Sequence, residues 1–197
     1  MLKPKDQIHS GANNDSAESL SRENLQLKAR IAELERLTAM DTLTPLFNRR
    51  YFMQELERWC WRSHRYGGSF GLLYLDVDRL KLVNDTHGHV AGDAVLLGIA
   101  EALDNATRKS DVIARMGGDE FAVLLDSISA EKLAEKAESV RQLLTALPVK
   151  TSGPTLKIGV SVGHCPIESG SRASEVLIEA DRAMYADKRS KYGEGAR

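Results

Sequence analysis

The stretch SFGLLYLDV, residues 69–77, limits the fold more than any other part of the chain. Its apolar residues are successive rather than alternating, and strand formers dominate it. As a strand it must therefore be central and covered on both faces. Yet it delivers an acid, Asp76, close to its C-terminal end. A carboxylate at the rim of an apolar core is costly unless a cation or hydrogen bonds compensate it.

The flanking sequence supplies the covering layers. NRRYFMQELERWCWRSHR (48–65) reads as a helix, stopped by Tyr66-Gly67-Gly68. HVAGDAVLLGIAEALDNAT (89–107), SAEKLAEKAESVRQLLTAL (129–147, ending before Pro148) and SEVLIEADRAMYADKRSK (174–191) have helical periods. DVIARM and DEFAVLL (111–116 and 119–125) are short strands joined at Gly117-Gly118, a hairpin signal. LKIGVSVGHC (156–165) reads as one further strand. The order α-β-α-β-β-α-β-α predicts an α+β fold, a central, mostly antiparallel sheet flanked by helices, over residues 41–197. Trp59 and Trp61 fall on opposite sides of the first of these helices as packing residues.

Ahead of this domain lie a polar segment, residues 1–15, read as a mobile tail, and a helix free of Gly and Pro over 16–40. Asp15 and Glu18 have capping-box spacing. Leu20, Leu27 and Leu34 recur as heptad d residues, with Ala17, Asn24, Ile31 and Thr38 at a. Glu23 and Arg30 at g face Lys28 and Glu35 at e with opposite sign. The pattern predicts a parallel coiled-coil homodimer, with Asn24 fixing register; the alternative is one amphipathic helix lying on its own domain.

The remaining acids concentrate where strands end. Asp119 and Glu120 follow the Gly-Gly turn, and DVDRLKLVNDTHGHVAGDAVL (76–96) packs acids, an amide, a lysine and glycines between a buried strand and a helix. A Gly-Gly hairpin flanked by acids can by itself be a solvated turn. The second cluster makes the pair resemble a hard-cation and nucleotide site, because Mg²⁺ takes one or two carboxylates and leaves positions for phosphate. Neighbours along a strand point to opposite faces, so Asp119 and Glu120 are expected to do different jobs. Gly117 and Gly118 leave room for a bulky ligand and are able to adopt positive φ. With 27 basic against 28 acidic residues the net charge is −1, so nucleic acid and anionic membrane are not expected partners. A polar N-terminus, no apolar run of spanning length and two cysteines, Cys60 and Cys165, without metal or disulfide spacing fit a cytoplasmic chain.

Four ordered motifs, DTLTPLFNRRYF, LDVDRLKLVNDTHGHVAGD, RKSDVIARMGGDEFAVLL and ADRAMYADKRSK, together resemble the GGDEF-domain diguanylate cyclases over roughly residues 41–192. The resemblance implies an enzyme that joins two GTP into cyclic di-GMP across a homodimer, with Mg²⁺, or Mn²⁺ in its place. It implies metal ligation by Asp76, the Val77 carbonyl and Asp119, catalysis by Asp119 and Glu120, guanine contacts from Asn84 and Asp93, and triphosphate contacts from Lys81 and Lys188. Arg108 and Asp111 match the family's RxxD product-inhibition site. His87 and His89 are not expected to bind metal.

The chain departs from the family pattern at three places. Pro45 replaces a glycine, so a turn needing positive φ could not form there unchanged. Ser139 stands where a supplementary arginine of the inhibitory site often occurs, with Arg141 nearby. Tyr192 occupies the place of a C-terminal phosphate-contacting arginine, for which Lys191 or Arg189 would substitute. The competing function is a catalytically silent GGDEF domain acting as a cyclic di-GMP or GTP receptor or a scaffold. A nucleotidyl transferase acting on nucleic acid would need a basic face that the composition does not provide.

Overall fold

The structure, a computed structural model, describes residues 20–24, 26–28, 30, 34, 39–151 and 153–193. The chain divides into two units, Met1–Ala39 and Met40–Arg197. In the first, the described residues between 20 and 34 are helical, and Leu20, Leu27 and Leu34 are exposed. The tail over residues 1–15, Asp15, Ala17, Glu18, Ile31, Glu35 and Thr38 lie outside the described residues.

The second unit is a five-stranded sheet with helices on both faces. Its elements are β1 (Phe47–Asn48), α1 (Arg49–Tyr66), β2 (Phe70–Val77), α2 (Leu80–His87), α3 (His89–Ala106), β3 (Val112–Arg115), β4 (Glu120–Leu125), α4 (Ala130–Ala146), β5 (Pro148–Val149), β6 (Leu156–Lys157), β7 (Val160–Ile167) and α5 (Ala173–Tyr192). The sheet order is β1-β3-β4-β2-β7; only β1 and β3 pair in parallel. β2 is central and every one of its residues is buried, as its unbroken apolar run requires.

Alternation along the strands builds two cores. Leu73, Leu75, Val77, Phe121 and Val123 face α2, α3 and α4, packing with Val95, Ile99, Leu133 and Val140. Leu72, Tyr74, Ala122, Leu124 and Cys165 face α1 and α5, packing with Phe52, Leu56, Val176 and Met184. The helices begin where their caps stand: Asn48 accepts a bond from Tyr51 N at 3.0 Å and Ser129 from Lys132 N at 3.4 Å. α5 lies so close to β7 that a methyl group on Gly163 would collide with Ala180 O and Met184 N, both main-chain atoms.

Four expectations are corrected. The segment 156–165 is not one strand: β6 pairs with β5 in a separate two-stranded sheet, and β7 begins only at Val160. The break lies at Gly159, where an added Cβ would stand 2.8 Å from Asp78 Oδ2. A helix, α2, also occupies what the sequence presents as a strand-to-helix turn. Trp61 is half exposed, meeting Tyr66 edge-on, whereas Trp59 is buried. Finally, Gly117 and Gly118 both lack positive φ, so their contribution is space. A Cβ added to Gly118 would meet nothing within 4 Å, and one on Gly117 would approach Glu120 Oε2 to 3.0 Å.

Pro45 is accommodated in an exposed bend. Asp41 Oδ1 organises the turn around it, accepting from Leu43 N, Thr44 N and Thr44 Oγ1 at 3.2, 2.8 and 2.8 Å. Arg115 then ties this turn to the β3–β4 hairpin through Asp41 Oδ1 at 3.3 Å and Gly118 O at 2.8 Å.

Candidate active site

The C-terminal end of β2, the hairpin and the last turns of α5 meet at one corner. Asp76 pairs in register with Glu120, so the two side chains leave the sheet on the same face, that of α5. Asp119, in the turn, is fixed by its main chain, whose carbonyl accepts from Val77 N at 2.9 Å. Lys188 reaches in from α5 and places Nζ 2.6 Å from Asp76 Oδ1, a pair that is mostly shielded from water.

One lysine does not balance these acids. Burial raises the Asp76 carboxyl above its usual range; Lys188 opposes this, and the charges of Asp119 and Asp78 add to it. Glu120 is raised as well, by burial first, with a Tyr74 hydrogen bond opposing and Asp119, Asp76 and Asp181 reinforcing. Lys188 is held above its ordinary value in spite of burial, because Asp76 accepts its hydrogen bond. Oxygen donors crowded to the point of mutual repulsion suit a hard divalent cation. Among the described residues, no group of three His, Cys, Asp or Glu side chains is placed so that it could hold a metal ion.

Behind the corner is a second network that sequence reasoning missed. Asp78 is buried and accepts from Ser161 Oγ at 2.7 Å and Tyr192 Oη at 3.3 Å, while its amide donates to Gly159 O at 2.9 Å. Lys191 donates to Asp187 at 2.7 Å and Val160 O at 2.8 Å. The available signal was the spacing DVD: Asp76 and Asp78 leave the chain on the same side.

Asn84 and Asp93 sit on the neighbouring helices α2 and α3. Asn84 Oδ1 is buried without a partner, against Gly92, where any side chain would collide with it. An orphaned amide oxygen is expensive unless a donor arrives. Asp93 and Lys81 are exposed.

Arg108 and Asp111 are at the other end of α3, beside a cavity of about 450 Å³ that Lys132, Lys136 and Ser139 also line. Asp111 is already engaged: its two oxygens accept from Arg108 N at 2.8 Å and Asp126 N at 3.1 Å. Arg108 is exposed, and Arg141 pairs with Glu138 at 2.6 Å.

Comparison with known proteins identifies the family. The family described as "Diguanylate cyclase, GGDEF domain" matches residues 38–194. Diguanylate cyclase DgcP of Pseudomonas aeruginosa is 41% identical over 150 residues, covering 76% of this chain and 22% of that protein. Diguanylate cyclase DosC of Escherichia coli is 32% identical over 151 residues, covering 76% of this chain and 33% of that protein. The chain thus spans a third or less of the length of these two relatives. Among solved structures, the coiled coil and GGDEF domain of DgcB from Caulobacter crescentus, in complex with c-di-GMP, superposes with a TM-score of 0.74 at 29% identity, covering 91% of this chain and 95% of that one. Diguanylate cyclase SiaD from Pseudomonas aeruginosa, in complex with its activator SiaC, gives a TM-score of 0.74 at 34% identity, covering 92% and 71%. The chain belongs to the GGDEF-domain family of diguanylate cyclases.

Proposed function

We propose that this chain is an active diguanylate cyclase that converts two GTP into cyclic di-GMP and two diphosphates. The observation that carries the reading is the convergence of Asp76, Asp119 and Glu120 at one corner with Lys188 as their close cation. A silent receptor has no need of three acids gathered at one corner. The 3′-oxygen of each GTP attacks the α-phosphorus of the other; a P–O bond forms, the bond to the bridging α,β-oxygen breaks, and diphosphate leaves.

In this reading Asp76, the Val77 carbonyl and Asp119 hold Mg²⁺ or Mn²⁺, which supplies Lewis-acid stabilisation of the phosphoryl charge when bound. Asp119 accepts the proton of the attacking hydroxyl, with Glu120 as the further acid beside it. Lys188 and Lys81 bear on the triphosphate. Asn84 and Asp93 read the guanine edge, an amide and a carboxylate suited to its N1–H and N2–H₂ groups.

Each GTP needs a partner site, so the enzyme works as a homodimer. The exposure of Leu20, Leu27 and Leu34 supports pairing through the N-terminal helix. Cyclic di-GMP binds back at the Arg108 cavity, where Arg108 grips phosphate while Asp111 holds the loop through its two amide bonds.

The decisive experiment incubates the purified chain, verified as a dimer by light scattering, with GTP and Mg²⁺ and separates the nucleotides by chromatography. Cyclic di-GMP is the expected product. A verified dimer that binds GTP without forming it would overturn the enzyme in favour of the receptor.

A further inference from the structure

We propose that Arg79 binds the triphosphate of the nucleotide and that Tyr192 positions it to do so. The inference rests on the nucleotide reading above and adds two residues to it.

Arg79 follows buried Asp78 directly and caps the start of α2 in the left-handed region, at φ 59° and ψ 28°. A non-glycine residue there costs roughly 1 kcal/mol or more, so the neighbourhood must hold it. Its side chain is exposed, and its Cζ lies 4.5 Å from the centroid of the Tyr192 ring. That ring is anchored in turn: its hydroxyl donates to Asp78 Oδ2 at 3.3 Å, and Asp78 also accepts from Ser161 Oγ at 2.7 Å. Asp78 thus fixes both the backbone that carries Arg79 and the ring on which its guanidinium rests.

Two other cations of the corner already have carboxylate partners. Lys188 is bonded to Asp76 at 2.6 Å, and Lys191 to Asp187 at 2.7 Å. No carboxylate among the described residues pairs with the Arg79 guanidinium, although Asp76 and Asp78 are its near neighbours in the chain. A planar cation held by its face keeps its N–H edges available, and a fork of parallel donors matches two phosphate oxygens. Lysine would supply charge there without the plane that stacks.

Equilibrium binding of 3′-deoxy-GTP, which cannot turn over, and of guanosine, which has no phosphate, tests the proposal on the full chain with Mg²⁺. Arg79→Gln is expected to weaken 3′-deoxy-GTP by about tenfold or more and to leave guanosine unchanged. Tyr192→Phe keeps the ring but loses its anchor on Asp78, and is expected to weaken 3′-deoxy-GTP less than Tyr192→Leu does. Tyr192→Leu is expected to reproduce much of the Arg79→Gln loss and to add little to it in the double variant. Wild-type 3′-deoxy-GTP affinity in Arg79→Gln overturns the proposal. So does equal weakening of both ligands, or strictly additive losses in the double variant, which would make the stack a structural cap alone. A wild-type chain that binds neither ligand overturns the nucleotide reading itself.

Discussion

Asp41 and Asp76 are both withdrawn from water, but their surroundings treat them in opposite ways. Asp41 gives one oxygen to two amides, a hydroxyl and the Arg115 guanidinium. Burial by itself would raise its pKa, but the bonds from Thr44, Leu43 and Arg115 outweigh it and hold the carboxyl below its usual range. Asp76 is pushed up, by burial first; one lysine opposes this, and the charges of Asp119 and Asp78 add to it. The first acid is a finished piece of architecture. The second is left short of positive charge, a state the fold tolerates because a cation and a phosphorylated ligand complete it.

The contrast is open to attack at several points. Asp119→Ala is expected to reduce cyclic di-GMP formation by at least about a hundredfold while dimerisation is unchanged; chromatography and light scattering read the two. A collapse of the fold instead would place Asp119 with Asp41 as architecture. Asp41→Ala is expected to cost about 2–3 kcal/mol in urea unfolding, since three donors and Arg115 lose their acceptor together. Asp111→Ala should cost about 1 kcal/mol, because the amides it serves are more open to water. Arg108→Ala, on an exposed side chain, should instead leave stability unaltered and relieve product inhibition. Unchanged inhibition would detach the cavity from regulation.

The smallest effect concerns Glu120. Its folded-state pKa is raised, so the native protein binds that proton more tightly than the unfolded chain does. Ionising it therefore removes stability as pH rises through the folded pKa. Glu120→Gln should lift Tm at neutral pH by no more than about 3 °C, with activity lost. The difference should vanish below the unfolded carboxylate pKa of about 4.3. A Tm that falls at neutral pH would mean that Glu120 is satisfied in the fold, as Asp41 is.

How much of this could be read from the sequence depended on range. β2, the hairpin and the four long helices were legible because each carries its own periodicity and stop signals. β1 and β5, with two residues each, have no period to detect. The split of 156–165 was hidden because its cause, the approach of Gly159 to Asp78, lies far away in the chain. The acids themselves were legible. The expectation that Asp119 and Glu120 differ rested on their being neighbours along one strand, whereas β4 begins at Glu120 and Asp119 lies in the turn. That Glu120 shares the face of Asp76 follows only from the register of β2 against β4. The stack of Arg79 on Tyr192 joins residues far apart in the chain, and no local pattern announces it.

The contact at Gly163 has a bearing on how losses of function in this protein should be interpreted. Met184, whose amide a methyl group there would strike, lies one helical turn before Lys188 on α5. The absence of a single carbon on β7 therefore acts as a gauge block, setting the gap across which the lysine meets Asp76. Alanine at this position would alter no polar group and touch no ligand, yet it would shift α5 and with it the lysine. A survey confined to the chemically active residues would misfile it as a fault of the core.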